Sequence, residues 1–445
     1  MEATATRLVE RLRAAGHEAF FAGGCVRDML LGKEAHDIDI ATSAKPAEVQ
    51  KLFPRTVAVG AQFGVIVVLE DDFEFQVATF RSDGAYKDGR HPESISFTTA
   101  EGDAKRRDFT VNGLFYDPIE KRIIDYVGGE SDLKAGILRS IGSPEERFSE
   151  DKLRLIRCVR FGASLNFQIE EETWKAVCRM ASQITVVSAE RLRDELVKIF
   201  THPSRLRGFD LLEASGLLEI LLPEVSHMKG CEQPPDFHPE GDVFVHTRLM
   251  LSLLPPEVSV PLVFSVLLHD TGKPATFRRD ETGRIRFNGH ESVSAEITSE
   301  IFERLRFSNA ETEATVVGVK NHMSFKDVKN MRVATLKRFL ARPTIEDEME
   351  LHRVDCLGSH GLLDNHDFLR TKQVEFSNAP LIPPPLITGR DLIANGYKPS
   401  PLFKKILDAV EAMQLEGTVT TPEEALAWVK AQNEFIAVPH TPGDT

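Results

Sequence analysis

The hydrophobic period changes once along this chain, and that change constrains the fold more than any single motif does. Through about residue 130 the apolar residues come in short alternating or β-branched runs: Ala19 to Ala22, Ile38 to Ala41, Thr56 to Val59, Val65 to Leu69 and Phe73 to Phe80. Period two is what a half-buried strand requires. With a helical pattern over Thr4 to Ala15 ahead of them, these runs predict a small mixed sheet with one or two helices. Past Asp132 the apolar positions recur at the helical period, as in Asp151 to Ala163, Thr173 to Ser182, Ser188 to Phe200 and Arg205 to Ser215. The expected fold class is α+β, a mixed-sheet head followed by an extended all-α remainder.

Composition places the boundaries. The head is expected over 1–138 and a helical neck or body over 139–228, ending at the proline- and glycine-rich stretch Lys229 to Asp242. A further helical segment is expected over 240–375. The proline run Ala379 to Leu386 separates it from a last helical module over 385–435, and the tail beyond is expected to fray.

A chain of 445 residues, 42 % hydrophobic and 27 % charged, has the length for several domains and the composition of a soluble protein. Its richest apolar stretch, Leu249 to Leu268, is broken by Pro255 to Glu257, which excludes a membrane span. Glu2, Glu10 and Glu18 argue against a secretory leader. Five cysteines without CxxC spacing suggest neither zinc nor disulfides and fit a reducing, cytoplasmic setting. A net charge of −14 runs against a simple nucleic-acid binder. Local basic clusters, Lys105 to Arg107 and Arg154, Arg157 and Arg160, still permit RNA contact.

Chemistry concentrates in GGCVRDMLLGKEAHDIDIAT, Gly23 to Thr42. Asp37 and Asp39, one residue apart in an extended segment, point the same way and make an oxygen-only site suited to Mg²⁺. A glycine turn with bare N–H groups beside them suits a triphosphate. A second segment, KRRDFTVNGLFYDP from Lys105 to Pro118, sets arginines beside Asp108 and Asn112, bidentate phosphate donors next to groups that can grip a ribose. In a third, RFSEDKLRLIRCVRF, Asp151, Arg154, Arg157 and Arg160 recur every three residues and are expected along one helix face. A carboxylate that accepts from a base amine and an arginine that donates to the ring nitrogen would take cytosine and adenine. Uracil and guanine would leave both groups mispaired. Finally, His246, His269-Asp270, His290, His322 and Asp355 follow the order H…HD…H…H…D, a donor set for Mg²⁺ or a divalent transition metal.

These segments carry a resemblance. Gly23 to Thr42 resembles the active-site signature of class II tRNA nucleotidyltransferases, the CCA-adding enzymes and bacterial poly(A) polymerases. Lys105 to Pro118 resembles their RRDFTxNxLxYDP motif, and Glu150 to Arg154 their EDxxR. Glu190 to Leu196, ERLRDEL, is similar to the neck motif that buttresses the nucleotide helix. The likeness is close over Phe20 to Glu224, and Ile387 to Pro401 echoes the family's tail. Val245 to about His360 resembles the HD phosphohydrolases.

The resemblance implies a nucleotidyltransferase that adds CCA to the tRNA 3′ end from CTP and ATP without a nucleic-acid template. Asp37 and Asp39 would be catalytic and hold Mg²⁺. Gly24, Arg27, Arg107, Asp108, Asn112, Asp151, Arg154, Arg157 and Arg160 would bind the nucleotide, with Arg107 on the incoming nucleotide and Asp108 and Asn112 reading its ribose. The HD pattern implies a metal site at His246, His269, Asp270, His290, His322 and Asp355, with phosphatase or cyclic phosphodiesterase activity. One departure stands out: Gln76 occupies the place where the family leads one to expect Glu, and Glu74, two residues earlier on the same strand face, is a substitute to test. Poly(A) polymerases carry two cations where Ala61 and Gln62 stand, and the loop that CC-only enzymes lack is matched by Phe80 to Pro92. Both favour complete CCA addition over poly(A) synthesis or A-only or CC-only addition. The rival from another class is an inactive RNA-binding regulatory protein.

Overall fold

A computed structural model of the protein describes residues 1–34, 37–58, 64–83, 95–234 and 241–432. Ala61, Gln62, most of the Phe80 to Pro92 loop and the tail after residue 432 lie outside them. The chain divides into two compact units. The first is Met1–Lys229 with Pro255–Val260 and Glu300–Ser308; the second is Gly230–Leu254, Pro261–Ser299 and Asn309–Thr445. The four segments expected from the sequence fall two to a unit, apart from the two short pieces assigned to the first.

The first unit contains a seven-stranded mixed sheet. Its strands are β1 (Ala19–Ala22), β2 (Ile40–Thr42), β3 (Thr56–Val57), β4 (Val65–Glu70), β5 (Phe73–Thr79), β6 (Phe115–Asp117) and β7 (Arg122–Ile124), in the order β3-β4-β5-β2-β1-β6-β7. Only β2 and β5 run parallel, with Ile40 opposite Val77; the other pairs are antiparallel. On one face Phe20, Phe80 and Phe115 meet with ring centroids 6.0–6.2 Å apart, joined by Ala41, Ala100 and Ala104. Each buried ring contributes roughly 1.5–3 kcal/mol, so this cluster fixes the register that brings β1 and β2 together. The N-terminal helix Glu2–Ala14 buries Leu8, Val9 and Leu12 and packs on β1 and β2.

Three helices position the site: α1 (Gly24–Leu30), α2 (Leu153–Ser164) and α3 (Ala189–Phe200). In α2 the apolar positions Leu155, Ile156, Val159 and Ala163 are buried, which lays its arginine-bearing side toward the head.

Among the described residues the second unit is mainly helical, with one short hairpin, Arg278–Arg279 with Ile285–Arg286. Asp280 makes that turn: its carboxylate accepts from Thr282 and Arg284 N–H groups, and Gly283 takes a left-handed φ of 80°. Its metal-ligand candidates sit on α4 (Val243–Leu253), at the end of α5 (Val260–Leu268), at the start of α6 (His290–Arg304), just after α7 (Asn309–Asn321) and on α8 (Ile345–Gly358). Two apolar clusters are separate here, one around Phe325, Phe339 and Met349, the other spanning Ile387 to Val429. Among the described residues no helix is long and apolar enough to cross a membrane.

Candidate functional site

In the first unit the C-terminal end of β1 brings the candidate residues together. Ala22 N–H donates to the Asp39 carbonyl and Gly23 N–H to the Leu114 carbonyl, so the glycine turn, the aspartate pair and the Lys105 to Pro118 segment are drawn together. Gly23 has φ 78°, and a Cβ there would fall 2.6 Å from Arg107 Nη1. Only glycine satisfies both demands.

All eleven candidates from the three sequence segments line one cavity of about 510 Å³: Asp37, Asp39, Gly24, Arg27, Arg107, Asp108, Asn112, Asp151, Arg154, Arg157 and Arg160. Burial and the neighbouring Asp37 charge push the Asp39 carboxyl up to about 6, against the pull of Arg107. Two carboxylates whose proximity disfavours double ionisation form a donor set that a divalent cation relieves. Gln76 and Glu74 are exposed on β5 and do not line this cavity.

Almost every arginine is held by an acceptor. Arg157 donates through Nε and Nη2 to Asp108 Oδ2, at 2.9 and 2.5 Å. Asp108 Oδ1 accepts from Asn112 Nδ2 at 3.0 Å, and Asn112 Oδ1 accepts from Arg27 Nη1 at 2.6 Å. Burial alone would raise the Asp108 carboxyl, but Arg157, Asn112 and Arg154 together hold it well below the usual carboxylate range. Arg107 pairs with the buried Asp103 at 3.1 Å. Arg154 donates to Glu150 at 2.7 Å and to the main-chain carbonyls of Arg147 and Arg106.

One expectation is corrected. Asp151 does not share the arginine helix face, because α2 begins only at Leu153 and Asp151 has an extended backbone (φ −137°, ψ 106°). Its carboxylate accepts from Leu153 N–H at 3.0 Å, the N-terminal capping use for which aspartate is favoured over helix-interior positions. The neck segment does reach this group. Arg191 on α3 forks onto Asp151 at 2.9 and 3.4 Å, and Glu195, one turn on, takes Arg160 at 2.5 Å and lies 3.9 Å from Arg157. Sequence reasoning left Arg191, Glu195, Arg106 and Phe161 without site roles. Phe161 also lines the cavity, with Arg160 over its ring at 4.0 Å and Arg157 and Arg27 at 5.1 and 5.3 Å. Its place one residue after the last arginine of α2 was the available signal.

The second unit gathers the HD candidates. His269, His290 and His322 each direct Nδ1 at the carbonyl three residues earlier, at 2.9, 2.8 and 2.6 Å. A carbonyl only accepts, so Nδ1 is the donor in each ring and Nε2 is left facing the cluster. Those nitrogens converge: His290 and His322 Nε2 are 3.1 Å apart, and Asp270 lies 3.1 Å from His269 and 3.3 Å from His290. Burial and the neighbouring His269 lower His322 to about 3, so its ring is neutral. His246 Nε2 meets Asp355 Oδ1 at 3.0 Å, and Lys273, not foreseen, sits 2.7 Å from Asp270 Oδ2. His246, His269 and Asp270 form one close donor group, Asp270, His290 and His322 another. Facing Nε2 atoms beside a buried carboxylate fit a divalent cation.

Residues 19–139 match the Poly A polymerase head domain, 166–229 the probable RNA and SrmB-binding site of polymerase A, and 247–357 the HD domain. A CCA-adding enzyme from Lactobacillus johnsonii is 30 % identical over 436 residues, 97 % of this chain and 96 % of that protein. The chain belongs to the CCA-adding enzyme family. A second relative, the CCA-adding enzyme of Streptococcus gordonii, is 44 % identical over 215 residues, 48 % of this chain, and the match spans about half of that protein (54 %). In fold the chain resembles the Bacillus stearothermophilus CCA-adding enzyme in complex with CTP, with a TM-score of 0.70, 24 % identity and 97 % of each chain covered. It also resembles the Thermotoga maritima CCA-adding enzyme complexed with tRNA, with a TM-score of 0.60, 20 % identity, and 96 % and 94 % covered. The cavity-lining residues from Gly23 to Asn112 lie within the segment that matches the polymerase head domain.

Proposed function

We propose that the chain adds C, C and A in turn to the 3′ end of tRNA, using CTP and ATP. The observation that carries this is the single cavity in which the Asp37–Asp39 pair, the phosphate-binding arginines and the Asp151–Arg154 pair all meet. The tRNA 3′-oxygen forms a bond to the α-phosphorus, the bond to pyrophosphate breaks, and the hydroxyl proton leaves. Asp37 and Asp39 would hold Mg²⁺, which lowers the hydroxyl pKa and neutralises the leaving pyrophosphate. Arg107 and Arg27 bind phosphate oxygens; Asp108 and Asn112, locked by Arg157 and Arg27, read the ribose. Asp151 accepts from the base amine while Arg154 donates to the ring nitrogen, and Arg191 holds Asp151 in that orientation. The head is assigned to 1–138, the neck to 139–228, and the reaction to the cytoplasm.

Incubation with tRNA lacking its end and each labelled NTP singly tests this reading. Incorporation of C and then A supports it; long A tails, A or CC alone, or no incorporation refutes it.

A second activity is favoured by the converging Nε2 atoms around Asp270. In this reading the segment 240–375 is an HD phosphohydrolase in which His246, His269, Asp270, His290, His322 and Asp355 bind Mg²⁺ or a divalent transition metal. Metal content of the purified protein, with phosphate release from a generic phosphoester, tests it.

A further inference from the structure

Two cavities meet at the histidine cluster. One, of about 350 Å³, runs out past Lys273, Arg284, Arg286 and Phe287. The other, of about 370 Å³, runs out past Lys326, Lys329, His352 and Asn365. They share His322, Met323, Asp355 and His360, so the cluster lies at a junction and not at the blind end of one pocket. A phosphomonoester places an organic group on one side of its phosphorus, whereas a diester places one on each side. Each arm falls in the lower part of the range of about 300–1,000 Å³ typical of small-molecule sites, a size suited to one nucleoside.

The side chains along the arms agree with this. In one, the partly buried Phe287 ring lines the wall with Lys273 5.4 Å from its centroid, and Arg284 and Arg286 are exposed on the hairpin, Arg286 paired with Asp280 at 3.1 Å. In the other, Lys326 and Lys329 are exposed, and among the described residues neither has an ion-pair partner. Cations on both sides of a junction suit a ligand whose charge is central and whose flanking groups are polar. Asn288 in the first arm supplies an amide that matches a base edge, and in the second Asn365, whose Nδ2 donates to the Phe325 carbonyl, supplies its amide oxygen.

We propose that the histidine cluster and its two arms form a site for a linear dinucleotide, with the bridging phosphodiester at the junction and one nucleoside in each arm. The proposal rests on reading the cluster as a phosphohydrolase centre, but the two-arm assignment itself needs only the cavities and their cations. Hydrolysis there adds water across one P–O bond. The attacking oxygen joins phosphorus, one nucleoside oxygen leaves and takes up a proton, and the products are a phosphomonoester and a free hydroxyl.

Titration calorimetry of the full chain in EDTA, with UpU as the probe, tests the site without metal or turnover. UpU is foreign to the CCA end, so the head is not expected to hold it. The Lys326→Ala/Lys329→Ala double variant should weaken UpU about tenfold, Arg284→Ala should weaken it severalfold, and inorganic phosphate affinity should stay within twofold. UpU binding indifferent to both variants, an equal loss of UpU and inorganic phosphate, or displacement of UpU by CTP would overturn the proposal. Hydrolysis of bis(p-nitrophenyl) phosphate with Mn²⁺ is measured separately. Its absence refutes the phosphohydrolase reading, whereas the two-arm site stands or falls on calorimetry alone.

Discussion

Removing Arg191 should degrade base choice more than it degrades transfer. The guanidinium grips Asp151 through two contacts at 2.9 and 3.4 Å, with side chains 22 % and 17 % exposed. At that range the gross attraction is about 5–6 kcal/mol for an effective dielectric of 20. Partial desolvation and side-chain ordering offset much of it, leaving a hold on the carboxylate of roughly 1–2 kcal/mol. Without the fork, Asp151 keeps its bond from Leu153 N–H but gains freedom to turn away from an incoming amine. Since 1.4 kcal/mol is a factor of about ten, Arg191→Ala should lower kcat/KM for CTP relative to UTP, and for ATP relative to GTP, by about tenfold. Arg191→Lys keeps the charge but not the fork and should fall between. The assay is single-nucleotide incorporation into tRNA lacking CCA and into tRNA ending in CC, with the thermal midpoint followed in parallel. If Arg191→Ala discriminated as well as the parent, within twofold, Asp151 would not select the base under Arg191's control.

Asp37→Ala should reduce incorporation to background with an unchanged circular-dichroism spectrum; retained activity would remove the metal assignment. Asp108→Asn should cost about 2 kcal/mol near neutral pH, measured by urea unfolding. Arg157 and its partners hold the folded carboxyl below its unfolded value, so this contribution is present above about pH 4 and is lost as pH falls further. The stability gap between parent and variant should therefore close in acid, and a constant gap would contradict the linkage. His269→Ala should lower the metal content of the purified protein while CCA incorporation is preserved, because His269 belongs to the second unit.

Five of the seven strands of the sheet were legible as short apolar runs between turn residues: Ala19 to Ala22 forms as read, Val65 to Leu69 and Phe73 to Phe80 differ by a single residue, Ile38 to Ala41 forms as Ile40–Thr42 and Thr56–Val57 falls within Thr56 to Val59, whereas β6 and β7 were not among the expected runs. The site residues were legible as a set because local spacing places them on a few elements. Their partners were not. Arg191 and Glu195 lie 40 and 35 residues from the groups they hold, and periodicity says nothing about pairing at that separation. Asp151 was misplaced for a related reason. A three-residue spacing fits a helix face, but an aspartate just before a helix satisfies an unpaired N–H there and ends the preceding helix instead. The HD histidines were found by their order, yet the device that aims His269, His290 and His322, an Nδ1 bond to the carbonyl three residues back, exists only once the helix ends are built.

The ion pairs also explain how a chain with net charge −14 keeps six arginines together around one cavity. Six arginines line it against five aspartates, a formal excess of one positive charge. Carboxylates behind the lining, Asp103, Glu150 and Glu195, anchor several of those arginines, so the guanidinium groups are oriented before any ligand arrives and need little reorganisation. A triphosphate brings several negative charges to a site with almost no net charge to meet them. In the proposed reading divalent cations on Asp37 and Asp39 would supply the balance, so CTP affinity should depend steeply on Mg²⁺. Calorimetry should show CTP binding at least about tenfold weaker in EDTA than in Mg²⁺. Equal affinity in the two conditions would mean that the arginines alone hold the triphosphate and that the aspartate pair does not contribute through a cation to nucleotide binding.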